Sequence, residues 1–373
     1  MPKLGELVAA LERRYDPRWA EPWDAVGLVC GDPDAAVDKV HFAVDPVAAT
    51  ADEVIASGAQ LLVTHHPLYL RGTTTVAATD AKGRLVHRLI SNGVALYVAH
   101  TNADVADPGV SDALAEAIAV QGVEPLDPRP GEPQDKLVTF VPVDAVDHIL
   151  DALAAAGAGT IGDYRRCAYL GNGTGTFVPG RDTAPMIGTP GKIERTPETR
   201  VEIVLSRARR RQVVRALLDV HPYEEPAYDV IELASLAGPR GLGRVGQLAS
   251  ATTLGEFTRT VATSLPATAW GVRAAGDPNR PVRTIAVCGG SGGELAAAAA
   301  RAGADVLVTA DLRHHPASEH VEDGGVALVD AAHWATEWPW LGQAARLLTT
   351  VETTVSTTVT DPWTVHAHQT EES

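Results

Sequence analysis

Two adjacent histidines, His65 and His66, stand at the end of an apolar run, Leu61-Leu-Val-Thr-His-His-Pro-Leu68. Imidazole is the commonest protein metal ligand and ordinarily titrates near neutrality, so such a pair could hold a cation or move a proton. Two further stretches carry the same chemistry. One is His100-Thr-Asn-Ala-Asp104, and the other is Ala332-His-Trp-Ala-Thr-Glu337. On a helix, His333 and Glu337 would lie four residues apart on one face, with Cβ atoms about 5–6 Å apart. That spacing lets an imidazole and a carboxylate share one cation. Each stretch also has an ordinary reading: a solvated turn, a loop or N-cap carboxylate, a pair on a helix surface.

Taken together, three of these four histidines and the two carboxylates suffice for two divalent ions. Mixed imidazole and carboxylate ligands suit Zn, Fe, Mn, Co or Ni better than Mg or Ca alone. A pair of such ions acidifies a water and polarises a substrate oxygen or ring carbon. His100 could shuttle protons, as could His314 and His315 of Asp311-Leu-Arg-His-His315, although a structural role is open for each.

These residues need strand ends to bring them together. Leu61 to Thr64 reads as a buried parallel strand. Pro67 ends it, because proline cannot donate to a ladder. Both imidazoles are thereby delivered to the carboxyl end of a core strand, where open α/β sheets place their ligands. Val94 to Ala99 reads as the strand before His100, and Ser111 as the cap of a helix over Asp112 to Val120. Near the end, Thr284 to Cys288 is a strand. The run Gly289-Gly-Ser-Gly-Gly293 then turns into a helix, as a tight connection or as an anion cradle.

The chain also repeats itself. Gly58-Ala-Gln-Leu-Leu-Val-Thr64 returns as Gly303-Ala-Asp-Val-Leu-Val-Thr309, and Gly93-Val-Ala-Leu-Tyr-Val-Ala99 as Gly325-Val-Ala-Leu-Val-Asp-Ala331. The expected fold class is therefore α/β: a pseudo-twofold duplicated domain, with strand ends of both halves facing one cleft. Between the halves, Asp127 to Pro133 reads as a linker. Gln134 to Leu233 reads as a ferredoxin-like βαββαβ insert. Within it, two short strands flank Gly171-Asn-Gly-Thr-Gly175 as a hairpin; no Lys-Ser/Thr follows, so this is no phosphate loop. The expected domains are 1–127, 134–233 and 240–373.

Composition narrows the function. The 373 residues are 45% hydrophobic, enough for real cores. The net charge of −16 argues against sequence-independent nucleic-acid binding. Phosphorylated small molecules stay open, because bound metals supply local positive charge. Arg207, Arg209, Arg210, Arg211 and Arg215 could meet a phosphate, or simply form a solvated helix face. Cys30, Cys167 and Cys288 form no CxxC pair, so neither a disulfide framework nor a zinc ribbon is indicated. Met1 to Asp24 has no apolar core of signal-peptide type, and no stretch is long and apolar enough to span a membrane. A cytoplasmic location is expected.

Four segments together resemble the Nif-three-like family, whose members carry the name type 2 GTP cyclohydrolase I. They are Trp23-Asp-Ala-Val-Gly-Leu28, His65-His66-Pro67, His100-Thr-Asn-Ala-Asp104 and His333 with Glu337. His221-Pro-Tyr-Glu-Glu-Pro226 resembles the insert of the longer members, likened to PII-like and CutA-like trimer-forming domains. The resemblance covers nearly all of the chain. It implies a dinuclear centre with His65, His66, Asp104, His333 and Glu337 as ligands, and a toroidal homohexamer built as a trimer of dimers. It further implies a metal-dependent hydrolase acting on a small molecule such as a nucleotide, with Glu337 bridging or positioning the metals and His100 moving protons. The alternative is a metal-handling or regulatory protein whose insert is a partner or sensor surface.

Overall fold

The computed structural model describes residues 1–367 and has a mixed α/β fold with three sheets. The chain divides into two compact units. One joins Met1–Arg129 to the chain from Pro239 onward, and the other is Pro130–Gly238. Among the described residues, no helix is long and apolar enough to cross a membrane.

The first unit holds two sheets. The five-stranded sheet has the order Gly27–Cys30, Ala95–Val98, Leu61–Thr64, Lys39–Ala43, Glu352–Val355. Its last four strands are parallel, and Gly27–Cys30 is antiparallel to its neighbour. The six-stranded sheet has the order Val272–Ala275, Ala327–Ala331, Val306–Ala310, Pro281–Ser291, Ala237–Thr253, Gln121–Pro130. Here three central strands are parallel, and again a short antiparallel strand, Val272–Ala275, closes one edge. Parallel strands are covered on both faces and so read as unbroken apolar runs. Accordingly Leu61, Leu62, Val63 and Thr64 are all fully buried.

One hydrophobic core takes side chains from both sheets, including Leu61, Val63 and Tyr97 from one and Ile285, Val308 and Val329 from the other. The helices Val110–Ala117 and His333–Ala345 contribute to it as well. The second of these is buried along most of its length, from Trp334 to Ala345. Its Trp340 is fully buried, and the indole N–H donates to the Tyr15 hydroxyl at 3.0 Å.

Three local expectations differ from the structure. Residues 127–130 are not linker but the end of the Gln121–Pro130 strand, at the edge of the six-stranded sheet. Pro125, Pro128 and Pro130 are tolerated there because an edge strand has donors it need not use. The glycines 171–175 are not a hairpin turn. They lie inside the Ala168–Phe177 strand, paired residue by residue with Glu194–Ser206. A Cβ on Gly175 would meet the Glu198 carboxylate at 2.0 Å, so the glycine makes room for a side chain of the neighbouring strand. Finally, Ser111 is not a cap. The helix runs Val110–Ala117 from Gly109, whose N–H donates to Asp112 at 2.7 Å. A Cβ on Gly109 would meet the Ala103 carbonyl at 2.3 Å, which is why glycine starts that helix.

In the second unit the order along the chain is strand, helix, two strands, helix, strand. The sheet order is Ala168–Phe177, Glu194–Ser206, Gln134–Pro142, Tyr228–Glu232, all antiparallel. The helices Val146–Ala155 and Arg210–Val220 share its core through Ile149, Leu153, Val213 and Leu217. Arg207 and Arg210 are held by the fully buried Asp135 at 3.0 and 2.7 Å and by Glu232 at 3.3 and 2.7 Å. Two of the five arginines are therefore engaged in stabilising the unit.

The Trp340→Ala substitution should lower the unfolding free energy of the protein by about 3–5 kcal/mol, the usual cost of emptying a core tryptophan site. Urea denaturation checks this; a loss below about 1 kcal/mol would mean that the helix is not packed as described.

Candidate metal centre

The candidate residues leave neighbouring strands at the same level. Thr64 lies beside Val98 in register, so His65 and His66 emerge next to the Ala99–His100 turn. The ladder continues briefly, with the His65 and His66 N–H groups donating to the carbonyls of Ala43 and Val44. In the other sheet Asp311 follows the Val306–Ala310 strand and His333 follows Ala327–Ala331. His333 opens the His333–Ala345 helix, which puts Glu337 one turn on, as the four-residue spacing predicts.

Each imidazole is tethered through Nδ1. The His65 Nδ1 lies 2.9 Å from the Ala99 carbonyl oxygen, which can only accept. That fixes the N–H on Nδ1 and leaves Nε2 as the lone-pair nitrogen of the neutral ring. His66 Nδ1 lies 2.7 Å from Asp45, His100 Nδ1 2.9 Å from Asp24, and His333 Nδ1 2.7 Å from Asp311. Imidazoles that bind metals characteristically give their second nitrogen to a carboxylate or carbonyl in this way. The tethers are themselves held. Asp24 accepts from the Thr101 amide at 3.1 Å and hydroxyl at 2.5 Å, and Asp45 from the Thr360 hydroxyl.

The Nε2 atoms surround Glu337. His333 Nε2 is 2.9 Å and His65 Nε2 3.4 Å from Oε1, while His66 Nε2 is 3.1 Å from Oε2. Asp104 Oδ1 lies 3.6 Å from His65 Nε2. Ligand atoms of His65, His66 and His100 lie within 4.8 Å of one another, and so do those of His66, His333 and Glu337. His100 is thus as close to the pair as a ligand would be. His314 and His315 are exposed at the start of the His314–Glu322 helix, with rings 5.1 Å apart, and belong to neither group. It is Asp311 from that stretch that reaches the centre.

Two observations test whether a cation fits. The buried atoms His65 Nε2 and Glu337 Oε2 have no hydrogen-bond partner. Native interiors seldom leave such atoms unpaired, and an ion held between them is one accepted reason. Moreover, 3.4 and 3.6 Å are too long for hydrogen bonds. Tetrahedral ligands about 2.0–2.1 Å from one cation lie about 3.3–3.4 Å from each other. The donor set and its spacing fit divalent cations better than an ion-pair network closed on itself.

The buried groups shift one another's protonation. Burial opposes charge on His66, but Glu337 and Asp45 outweigh it and raise its pKa well above the ordinary value. His65 is raised against burial by Glu337 and Asp104. His333 is raised to about 9, against burial, by Glu337 and Asp311. Burial would push Glu337 up, yet the three imidazoles hold it well below the carboxylate range. Asp104 is raised, chiefly by burial. Protons on these rings supply the positive charge that cations would bring.

The sequence reading missed the tethers Asp24, Asp45 and Asp311. Asp24 and Asp311 each belonged to a quoted stretch, so a signal existed there; Asp45 follows a strand without any local mark. It also left the Gly289–Gly293 run open between turn and anion cradle. Gly290 adopts φ +65°, and a Cβ there would meet Glu337 Oε1 at 2.4 Å and His333 Nε2 at 3.0 Å. Its N–H donates to the Thr336 hydroxyl at 2.9 Å. The run is a close-approach wall of the centre. Behind His65 stands Trp340, ring centroids 5.3 Å apart.

Comparison with known proteins follows the same outline. Residues 2–362 match the model of the family described as Duf34/NIF3 (NGG1p interacting factor 3). A Mycobacterium tuberculosis protein named GTP cyclohydrolase 1 type 2 homolog is 48% identical, covering 97% of this chain and 96% of its own length. A Streptomyces coelicolor protein of the same name is 41% identical over 98% and 95%. The crystal structure of a Bacillus cereus protein related to NIF3 superposes with a TM-score of 0.80 at 34% identity, covering 97% of this chain and 99% of that one. A Staphylococcus aureus protein gives 0.84 at 27%, covering 97% and 98%.

Two outcomes follow from the geometry. A group whose folded pKa is raised gives stability that is complete below its unfolded pKa and is lost as pH rises through the folded one. With His333 raised from 6.5 to about 9, chelator-treated protein should lose thermal stability between those values. A melting temperature that holds or climbs across that window in scanning calorimetry would contradict it. Gly290→Ala should cost about 1–3 kcal/mol through the positive φ alone, with more from the Glu337 contact. Denaturant titration within about 0.5 kcal/mol of wild type would rule out the close approach.

Proposed function

The chain belongs to the Duf34/NIF3 family, and from that premise we propose that it binds two divalent cations through His65, His66, Asp104, His333 and Glu337 and acts as a hydrolase on a nucleotide-like substrate. The observation that carries this reading is the convergence of tethered imidazoles on a buried carboxylate with two orphaned atoms, His65 Nε2 and Glu337 Oε2. Glu337 would serve both ions: Oε1 faces His65 and His333, and Oε2 faces His66. Asp104 stands on the His65 side.

Two divalent cations bound there would acidify a water and polarise a substrate oxygen or ring carbon. The chain's own residues do the rest. The Ala99 carbonyl, Asp45 and Asp311 hold three rings so that their Nε2 atoms stay turned toward Glu337. Asp24 holds His100 beside His65 and His66, where its other nitrogen can take and return a proton. Trp340 closes the rear of the site to solvent. The relatives' name supports a purine nucleotide as substrate and ring opening as the reaction.

The finer architecture belongs to the same reading. The shared pattern of three parallel strands and an antiparallel edge strand supports a pseudo-twofold duplication within the first unit. The strand order of the second unit supports a ferredoxin-like insert. The assembly we propose is a homohexamer, checked by light scattering.

Metal content and turnover test the whole. Protein purified without chelator should carry two divalent ions per chain by elemental analysis. His65→Ala and His333→Ala should each lower that number, and Glu337→Gln should abolish turnover in a screen of nucleotides and phosphodiesters. Full metal content in both alanine variants would refute the ligand set. Two bound ions without turnover of any substrate would replace the hydrolase with a metal-handling protein.

A further inference from the structure

Beside the centre lies a cavity of about 260 Å³ whose walls include His66 and His333 together with Trp270, Trp363, Asp361 and Thr360. None of its lining residues is a lysine or arginine. The Trp270 and Trp363 rings have centroids 5.9 Å apart and are tilted by 38°. Arg273 covers Trp270 with its guanidinium 4.6 Å from the ring and is itself held by Asp330 at 2.6 Å. Trp363, by contrast, keeps 60% of its surface exposed, a large apolar face open beside the centre.

Asp361 is only 6% exposed. Its carboxylate accepts from the Trp363 amide, while Oδ2 is buried without a partner. The Trp270 indole N–H is a second buried group without one. Ligand sites are built this way, from apolar and aromatic walls and a few polar groups that fix orientation. The other two acids of the lining, Asp45 and Asp311, are committed to His66 and His333. Asp361 is therefore the acceptor left for a ligand. With no lysine or arginine in the lining, no side chain of these walls pairs with a phosphate, whereas Asp361 and the tryptophans offer an acceptor and a stacking face. What suits it is a flat group that stacks and donates.

We propose that the cavity takes the ring of a planar nitrogen heterocycle. The ring stacks on Trp363, gives a ring N–H or exocyclic amine hydrogen to Asp361, and turns its reacting edge toward His66 and His333. This rests on the reading of the centre as a site for a nucleotide-like substrate and states which end of that substrate enters. The base is the part recognised here, and the phosphate stays outside.

Calorimetric titration of the full-length, metal-loaded protein tests it. Guanosine 5′-monophosphate, whose base carries both a ring N–H and an amine, is compared with ribose 5-phosphate, which has no ring to stack. The nucleotide should bind at least about tenfold more tightly, the scale of one base–aromatic stack. Trp363→Ala should remove about that factor and Trp363→Phe should restore most of it. Asp361→Asn should weaken the nucleotide and leave ribose 5-phosphate unchanged. Metal content, measured on the same samples, should match wild type in all three variants. Equal affinity for the two ligands, no nucleotide binding by metal-loaded protein, or a Trp363→Ala variant that binds like wild type would each overturn the ring site while the centre stands. A wild-type protein that retains no metal overturns the reading of the centre, and the ring site with it.

Discussion

Glu337 is a carboxylate buried to 3% exposure in the core of a 373-residue chain. An isolated anion in such a place would cost many kcal/mol and would simply take up a proton. Here three imidazoles surround it, and the architecture can be understood as the means of bringing them there. A helix has to start at His333 so that Glu337 points back over it. Two parallel strands have to end together so that His65, His66 and His100 share one level. A backbone without a side chain has to pass at Gly290. If any of these were changed, the carboxylate would face apolar surroundings without compensation.

The second layer is what makes the arrangement specific. Histidine rings on strand ends have rotational freedom, and three of the four are pinned by aspartates that come from different turns. The fourth is pinned by a backbone carbonyl, which places it deepest. A carboxylate tether makes an imidazole more basic, and a carbonyl does so less. The four rings therefore differ in the partner that holds them, although their residue type is the same. Burial works in the same direction, since His65 is fully buried and His333 is not.

Much of this was legible in the sequence because it is local. An apolar run that stops on two histidines and a proline states its own place in a sheet. The four-residue spacing of His333 and Glu337 states a shared helix face. The tethers were not legible, since Asp24 and His100 are 76 positions apart and Asp45 and His66 are 21 apart. Those pairs exist only once the strand order is known. The misread segments failed for a related reason. Glycines 171–175 and residues 127–130 have the composition of turns and linkers, yet neighbouring strands recruit them into sheets. What the glycines accommodate is a side chain, Glu198, from elsewhere in the chain.

The two walls of the centre are made at opposite ends of the chain, and this sets a timetable. At roughly 5–20 residues per second on the ribosome, the about 270 positions from His66 to Glu337 take on the order of 15–50 seconds to synthesise. Throughout that interval the two histidines exist without their carboxylate, and Trp340 is not yet there to shield them. The second unit, which lies wholly within the gap, is complete well before the centre can close. Closure of the centre is thus a late event that only a chain read through to its last helix can reach, and a truncated product would display the histidines without forming the cage.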